Sequence, residues 1–131
     1  MVAALILHAG KLLICQRRRK DSFPLKWEFP GGKVRSGEAL KAALVRELRE
    51  ELGVESSVGR EVYRTRHRYQ EHPREVELVF FVATLTNPQA IRNLAFEAIV
   101  WAPHTSLPDY DFLPADRELI ALLASGKLKL D

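Results

Sequence analysis

Two short runs of aliphatic and β-branched residues, separated by a turn signal, begin the chain. Val2–His8 is the first run, Ala9 and Gly10 mark the turn, and Lys11–Gln16 is the second run. Runs of this length bounded by glycine are typical of adjacent strands. They predict a hairpin. The polar and basic residues 17–24 come next and are a predicted loop.

The longest helical pattern lies at residues 38–52, after a short predicted strand at 27–29 and a turn at 30–32. Ser36 is the predicted N-cap, and Gly53 is suited to the first position beyond the helix. Glu38 favours the positive end of the helix dipole, which gives it a structural role. One apolar stripe recurs every four residues and consists of Leu40, Leu44, Leu48 and Leu52.

The pattern then returns to strands. Ser56–His67 and Val76–Leu85 are predicted strands that flank a polar segment around residues 70–74. Residues 87–93 are a predicted loop, and residues 98–101 are a predicted short strand. Pro103 breaks the pattern after that strand. Residues 114–123 predict a second helix, with Pro114 in its first turn. This order indicates a mixed sheet packed between helices, in one domain over residues 1–131.

Composition narrows the class of protein only slightly. The chain has 131 residues, of which 47% are hydrophobic, and this favours a folded globule. Its net charge of +3 is compatible with an anionic substrate, and equally with a generic basic surface. No apolar stretch approaches a membrane span, and there is no signal-peptide pattern. Cys15 alone forms no intrachain disulfide and is predicted to be a buried structural thiol, so we expect a cytoplasmic protein.

Three carboxylates share one face of the first predicted helix. Glu47, Glu50 and Glu51 stand at i, i+3 and i+4, where they repel each other unless a cation lies among them. Carboxylates suit hard cations such as Mg²⁺, which also retains waters and phosphate oxygens. Arg46 either pairs with Glu50 or reaches phosphate. The alternative is a solvated, salt-bridged helix face.

The segment from Gly32 to Val54, GKVRSGEALKAALVRELREELGV, resembles the Nudix box. That box is Gly-x5-Glu-x7-Arg-Glu-U-x-Glu-Glu-x-Gly-U, where U is aliphatic, and no position departs from it. Outside the box, LLICQRR, KWEFPGGK, FEAIVW and LPADRELI resemble the MutT-like subgroup in the same order. The resemblance implies an α+β fold, an α/β/α sandwich with a mixed β-sheet between helices. It also implies hydrolysis of nucleoside diphosphates linked to another moiety.

The resemblance further implies roles for particular residues. Glu50 and Glu51 would bind Mg²⁺, with Mn²⁺ as a substitute, while Glu47 would bind metal or act as the base. The carbonyl of Gly31 or Gly32 would complete the coordination, and Arg46 would assist catalysis. Glu97 is a second candidate base or outer metal ligand, or a surface glutamate before a strand.

On the substrate side, the resemblance places Arg17 and Arg18 near the phosphates or the base, unless they belong to a solvated loop. Asp116 would contact the base, and as a carboxylate it would favour a base that presents donors, such as a cytosine derivative or an oxidised guanine. Phe29 would line the base pocket or the core, and Gly31 would lie close to the ligand.

Three functions follow as hypotheses. The first is a MutT-like pyrophosphohydrolase that converts a nucleoside triphosphate to the monophosphate and pyrophosphate and so cleanses the nucleotide pool. The second is the same kind of hydrolysis with a different substrate: ADP-ribose, a dinucleoside polyphosphate or another nucleoside diphosphate derivative. The third is a non-catalytic binding module, although the intact glutamates argue against it. We expect a nucleotide as the partner, with neither nucleic acid nor membrane, and a monomer or small homo-oligomer.

Overall fold

A central sheet of seven strands organises the computed structural model, which describes residues 1–68 and 75–130. The main path through the sheet is β3-β2-β1-β6-β5, while β4 pairs with β1 and β7 pairs with β2. The strands are β1 (Val2–His8), β2 (Lys11–Gln16), β3 (Trp27–Glu28), β4 (Gly31–Gly32), β5 (Ser56–His67), β6 (Val76–Leu85) and β7 (Ala98–Pro103).

The sheet is mixed because β1 and β6 run parallel while its other strand pairs are antiparallel. The predicted hairpin between β1 and β2 is present, but it is short. Only Leu7 with Leu12 and His8 with Lys11 face each other across it. Beyond those pairs β1 continues beside β6 and β2 continues beside β7, so each strand makes most of its pairs elsewhere.

Helix α1 (Leu40–Leu52) covers one face of the sheet. Ala43, Leu44, Leu48 and Leu52 of this helix are fully buried against residues of β1, β2 and β6. Leu40 is 36% exposed, so its predicted place in the apolar stripe is wrong, because the helix only begins there. Burial of three leucines fixes α1 on the sheet and turns its acidic side toward β4 and the loop that leads into the helix.

Helix α2 (Arg117–Ala124) covers the opposite face. Leu119, Ile120 and Leu123 pack there with Phe80 of β6 and Phe112. The structure therefore has helices on both faces of one mixed sheet, and the predicted fold class is confirmed. Neither helix of the described residues has the length and apolar character needed to cross a membrane.

The start of α1 differs from the prediction. The helix begins at Leu40 rather than residue 38, and Ser36 is not its N-cap, because Ser36 and Gly37 form a turn. Ala39 occupies the cap position without a capping side chain. At the other end, Gly53 adopts φ 65° and donates its N–H to the carbonyl of Arg49 at 3.0 Å, so this prediction is confirmed.

Other boundaries shift by a few residues. The loop at residues 87–93 contains a short 3₁₀ turn, Pro88–Ala90, and β7 extends to Pro103 before it ends. The second helix opens with a 3₁₀ turn, Pro114–Asp116, before α2. Cys15 is completely buried, as predicted. The predicted polar segment at residues 70–74 lies outside the described residues.

Candidate active site

The acidic side of α1 carries Glu47, Glu50 and Glu51, and Arg46 lies among them. The Nη1 of Arg46 donates to Glu47 at 2.9 Å and reaches the Glu50 carboxylate at 3.3 Å. The helical spacing thus places these groups together, as the sequence predicted. Of the two roles that the sequence left open for Arg46, the structure shows the one in which it pairs with Glu50.

Arg46 also anchors the loop that leads into α1. Its Nε and Nη2 donate to the two carboxylate oxygens of Glu38, both at 2.9 Å, and Nη2 also donates to the carbonyl of Lys33 at 2.9 Å. These bonds lower the pKa of Glu38 to about 2. Glu38 also accepts the N–H of Arg35 at 3.0 Å. Glu38 therefore has the structural role predicted for it, through a two-bond pairing with Arg46.

Glu51 points away from solvent, toward β4. The backbone N–H of Gly31 donates to its Oε1 at 3.0 Å. Burial raises the pKa of Glu51 to about 8, and the nearby carboxylates of Glu47, Glu28 and Glu50 act in the same direction. Taking an isolated carboxylate out of water disfavours its charged form, and like charges add to that cost. Negative charge is thus concentrated at this end of α1, and the nearby positive groups do not fully balance it.

Gly32 lies directly against Glu47. A Cβ atom built on Gly32 would stand 2.5 Å from Oε2 of Glu47, closer than real side chains approach. The Glu47 carboxylate therefore occupies this position against β4 because residue 32 has no side chain.

This donor set fits a divalent cation of the Mg²⁺ type, which takes oxygen ligands. The buried, charge-crowded Glu51 and the close approach of Gly32 both support that fit. Within residues 1–68 and 75–130, however, no three His, Cys, Asp or Glu side chains already stand in a metal-binding arrangement. Arg46 and the N–H of Gly31 occupy carboxylate oxygens there, and a bound cation would compete with them.

A cavity of about 280 Å³ opens beside β4. Gly31 and Gly32 form one side of it, next to the carboxylates of α1. The cavity extends to Phe29, which is buried and packs its ring against Phe80 at 6.2 Å, and to Asp116 at the start of α2. Phe29 thus serves both as core and as cavity wall.

Asp116 is the charged residue most completely buried among those described, at 3% exposure. Burial raises its pKa to about 7, and the nearby charge of Glu28 contributes. In the described part of the chain, the Asp116 carboxylate has no hydrogen-bond donor or cation as a partner. A buried carboxyl group facing a cavity is costly unless something else supplies its partner. The cavity therefore favours a ligand that donates hydrogen bonds to Asp116.

Comparison with known protein families agrees with this geometry. The family model described as NUDIX domain matches residues 1–123. The chain belongs to the Nudix hydrolase family. The Nudix box thus runs from Gly32 of β4, where the sequence predicted a turn, through the acidic side of α1 to the cap at Gly53.

Three similar proteins show how far the likeness extends. This Nudix hydrolase is 36% identical over 121 residues to the CTP pyrophosphohydrolase of Escherichia coli (strain K12), covering 92% of this chain and 87% of the relative. It is 36% identical over 124 residues to putative 8-oxo-dGTP diphosphatase 2 of Mycobacterium tuberculosis (strain CDC 1551 / Oshkosh), covering 95% and 86%. The solution structure of MutT from methicillin-resistant Staphylococcus aureus 252 superposes with a TM-score of 0.73 at 36% identity, covering 95% and 94%.

Two residues of the predicted site lie apart from the acidic side of α1. Glu97 of this Nudix hydrolase is exposed, and its backbone N–H bonds the carbonyl of Gln16 at 2.9 Å. Within residues 1–68 and 75–130, no hydrogen bond or ion pair joins the Glu97 side chain to Glu47, Glu50 or Glu51. Arg18 is half-buried in the loop after β2, where its backbone N–H bonds Asp21 at 3.1 Å. Arg17, by contrast, borders the cavity.

Glu28 is the site residue that sequence reasoning missed. It lines the cavity of this Nudix hydrolase and accepts two bonds from Nη1 of Arg17, at 3.2 and 3.1 Å. Burial raises its pKa, and Arg17 opposes that rise. Its charge acts on both Glu51 and Asp116, so it lies between the acidic side of α1 and the far end of the cavity. Its position within KWEFPGGK was the available signal.

Proposed function

We propose that this Nudix hydrolase converts a nucleoside triphosphate to the monophosphate and pyrophosphate, with Mg²⁺ or Mn²⁺, and so removes oxidised or excess nucleotides from the cytoplasmic pool. The substrate we favour is a ribo- or deoxyribonucleoside triphosphate with a pyrimidine or an oxidised base. Two relatives at 36% identity, named CTP pyrophosphohydrolase and putative 8-oxo-dGTP diphosphatase 2, support this choice.

The single observation that carries the proposal is the contact between the two glycines of β4 and the acidic side of α1. Gly31 bonds Glu51 at 3.0 Å, and Gly32 lies against Glu47. The same two glycines line the cavity that ends at Asp116. One continuous site therefore joins a cluster of oxygen ligands to an enclosed space, as a nucleotide with a phosphate chain requires.

Each residue of the metal side has a distinct part. Glu50, Glu51 and either Glu47 or a carbonyl of Gly31 or Gly32 would hold the cation. A bound divalent ion would supply an activated water and neutralise charge on the phosphate chain. Glu47 would also accept the proton of the attacking water, and Glu97 is a second candidate for that role.

Arg46 positions these groups. Its bonds to Glu38 and the Lys33 carbonyl hold the guanidinium between the helix and its leading loop. Its remaining nitrogen then fixes Glu47 and Glu50. Carboxylates that are held in place beforehand need no rearrangement as charge develops on the phosphate. Such preorganised electrostatic stabilisation provides most of the rate enhancement in sites of this kind.

Base selection would belong to the other end of the cavity. An ionised Asp116 accepts hydrogen bonds and donates none. Cytosine presents an exocyclic amino group, and guanine or oxidised guanine presents an amino group beside a ring N–H. Uracil and thymine present one ring N–H between two carbonyls, so they satisfy a buried carboxylate poorly. A site that leaves a buried polar group unpaired discriminates strongly.

The test is hydrolysis of a panel of nucleotides in MgCl₂, in which the phosphorylated products are identified for every member and pyrophosphate release is measured for the triphosphates. We expect turnover of CTP, dCTP or 8-oxo-dGTP, lower turnover of UTP, and a loss of about 10²-fold or more in the Glu50→Gln variant. Turnover of ADP-ribose or a dinucleoside polyphosphate alone would replace this proposal with the second hypothesis. Tight nucleotide binding without any turnover would instead establish a binding module.

A further inference from the structure

The guanidinium of Arg17 is committed to contacts within the chain. Its Nη1 bonds both oxygens of Glu28, its Nε donates to the carbonyl of Ser22 at 2.7 Å, and its Nη2 donates to the Ser22 hydroxyl at 3.2 Å. All three nitrogens are engaged, and the side chain is only 22% exposed. A guanidinium fixed at two points by a planar fork is poorly available to a phosphate.

The same contacts hold a strained loop. Residues 17–26 leave β2 and return to β3, closed by the Arg17 N–H to the Lys26 carbonyl at 2.9 Å and the Leu25 N–H to the Arg17 carbonyl at 3.1 Å. Phe23 and Leu25 have φ of 52° and 61°, which side chains with a Cβ rarely adopt. Such conformations persist only when surrounding contacts impose them, and the bonds from Arg17 to Ser22 are among these contacts.

Both partners of Arg17 lead to the cavity wall. Glu28 lines the cavity directly, and Phe23, next to Ser22, lines it from the loop. Without Arg17, the Glu28 carboxylate would be a half-buried charge near the carboxylates of Glu51 and Asp116. Like charges at that spacing repel. Arg17 thus orients Glu28 and helps to hold the loop segment that carries Phe23.

We infer that Arg17 is a positioning residue for nucleotide selection: it acts through Glu28 and the loop at residues 17–26, and it does not bind the phosphates of the substrate. This inference rests on the proposed function, since it takes the cavity as the site of the nucleoside. It replaces the sequence-based expectation that Arg17 itself contacts the substrate.

The first test separates the two roles by their ligands. Arg17→Lys keeps the charge but loses the fork, Arg17→Gln loses both, and Arg19→Gln removes a charge from the exposed neighbouring position as the matched control. We expect each Arg17 variant to raise the KM for CTP about tenfold with kcat within about twofold, and Arg19→Gln to change neither. Inhibition by cytidine, which carries no phosphate, should weaken about tenfold, while inhibition by pyrophosphate stays unchanged. Unchanged inhibition by cytidine, or weaker inhibition by pyrophosphate, would overturn the inference, because a residue that only binds phosphate affects only ligands that carry phosphate.

A double-mutant cycle provides the second test. If Arg17 acts in part through Glu28, then Arg17→Gln should raise KM by only about threefold in a Glu28→Gln background, where its bonds to Ser22 are the contacts still to be lost. Additive effects of the two substitutions would contradict the inference.

The third readout does not require turnover. Hydrogen exchange at the amides of Leu25 and Lys26 should accelerate about tenfold in Arg17→Gln and remain unchanged in Arg19→Gln. Unchanged protection in Arg17→Gln would show that Arg17 does not hold the loop and would overturn the inference. If the wild-type chain hydrolyses no triphosphate, the proposed function fails, but this exchange experiment still decides whether Arg17 holds the loop.

Discussion

The backbone N–H of Gly31 donates a hydrogen bond to Oε1 of Glu51 at 3.0 Å. This bond joins strand β4, which pairs with β1 at the centre of the sheet, to the carboxyl-terminal part of α1. It lies between the acidic side of the helix and the cavity. A small displacement of either element would therefore change the oxygen cluster and the cavity wall together, which makes the two glycines of β4 informative positions for mutation.

Gly32→Ala should reduce activity without unfolding the protein. The added Cβ would meet the carboxylate of Glu47 at 2.5 Å, and that carboxylate is the far end of a flexible side chain. Glu47 should swing aside at little cost in stability but lose its position. We expect kcat for CTP to fall by about 10²-fold, in line with loss of a positioned base, with a melting temperature close to wild type. Normal turnover would show that Glu47 is not needed where it stands.

Gly31→Ala should instead destabilise the fold. Its Cβ would collide with the backbone carbonyl of Val2 in the neighbouring strand, and backbone cannot rotate away. We expect the free energy of unfolding to fall by about 3 kcal/mol or more, measured by urea denaturation. Gly126→Ala is the matched control, since it also has positive φ (77°) but open space around its Cβ. A cost no larger than that of the control, about 1 kcal/mol, would contradict the steric explanation.

Glu50→Gln and Glu51→Gln should each reduce turnover of CTP by about 10²-fold or more while the circular dichroism spectrum stays that of the wild type. Each amide keeps the shape of the side chain but loses the charge that a divalent ion needs. Glu55→Gln is the control, because Glu55 follows the same helix but pairs with Arg49 at 2.6 Å. Wild-type rates in either site variant would exclude that carboxylate from the metal site.

The sequence predicted the acidic side of α1 because helical spacing alone places Glu47, Glu50 and Glu51 together. It did not predict Glu28, because that residue reaches the site through the register of the sheet. Glu28 pairs with Cys15 of β2, and facing residues of paired strands point to the same side. Cys15 packs in the core beneath α1. Long-range register of this kind has no local pattern in the chain.

The start of α1 was mispredicted for a related reason. Ser36 has the local chemistry of an N-cap, but the turn at Ser36 and Gly37 delays the helix. The pairing of Glu38 with Arg46, eight residues further along, holds the leading loop in that arrangement. A tertiary ion pair here overrides a local capping preference.

Divalent ions should stabilise the folded protein in the absence of nucleotide. A ligand that binds only the folded state adds stability in proportion to the logarithm of its concentration, about 2.7 kcal/mol at one hundred times its Kd. We expect millimolar MnCl₂ or MgCl₂ to raise the melting temperature by about 5 °C, and EDTA to reverse the rise. The rise should be absent in a Glu50→Gln, Glu51→Gln double variant. An equal rise in that variant would place the ion elsewhere.

Asp116 should make the stability of the folded protein depend on pH, and the substitution Asp116→Asn should remove that dependence. Burial raises its pKa to about 7 in the folded state, from 3.8 in the unfolded chain. Between these values the folded state binds more protons than the unfolded state, so stability decreases as pH rises from about 4 to about 7. At about 1.4 kcal/mol per pKa unit, the loss is on the order of 4 kcal/mol.

Asp116→Asn removes the ionisation but keeps the shape. Relative to wild type, we therefore expect this variant to be more stable at pH 8, by a few kcal/mol, and to lose that advantage at pH 4, as measured by urea denaturation at both values. Asp109→Asn, at an exposed aspartate in the preceding 3₁₀ turn, is the control and should follow the wild-type pH profile. Because nothing in the described chain neutralises Asp116, CTP should also stabilise wild type more than Asp116→Asn at pH 8. Parallel profiles for wild type and Asp116→Asn would show that the carboxyl group finds adequate solvation without a ligand.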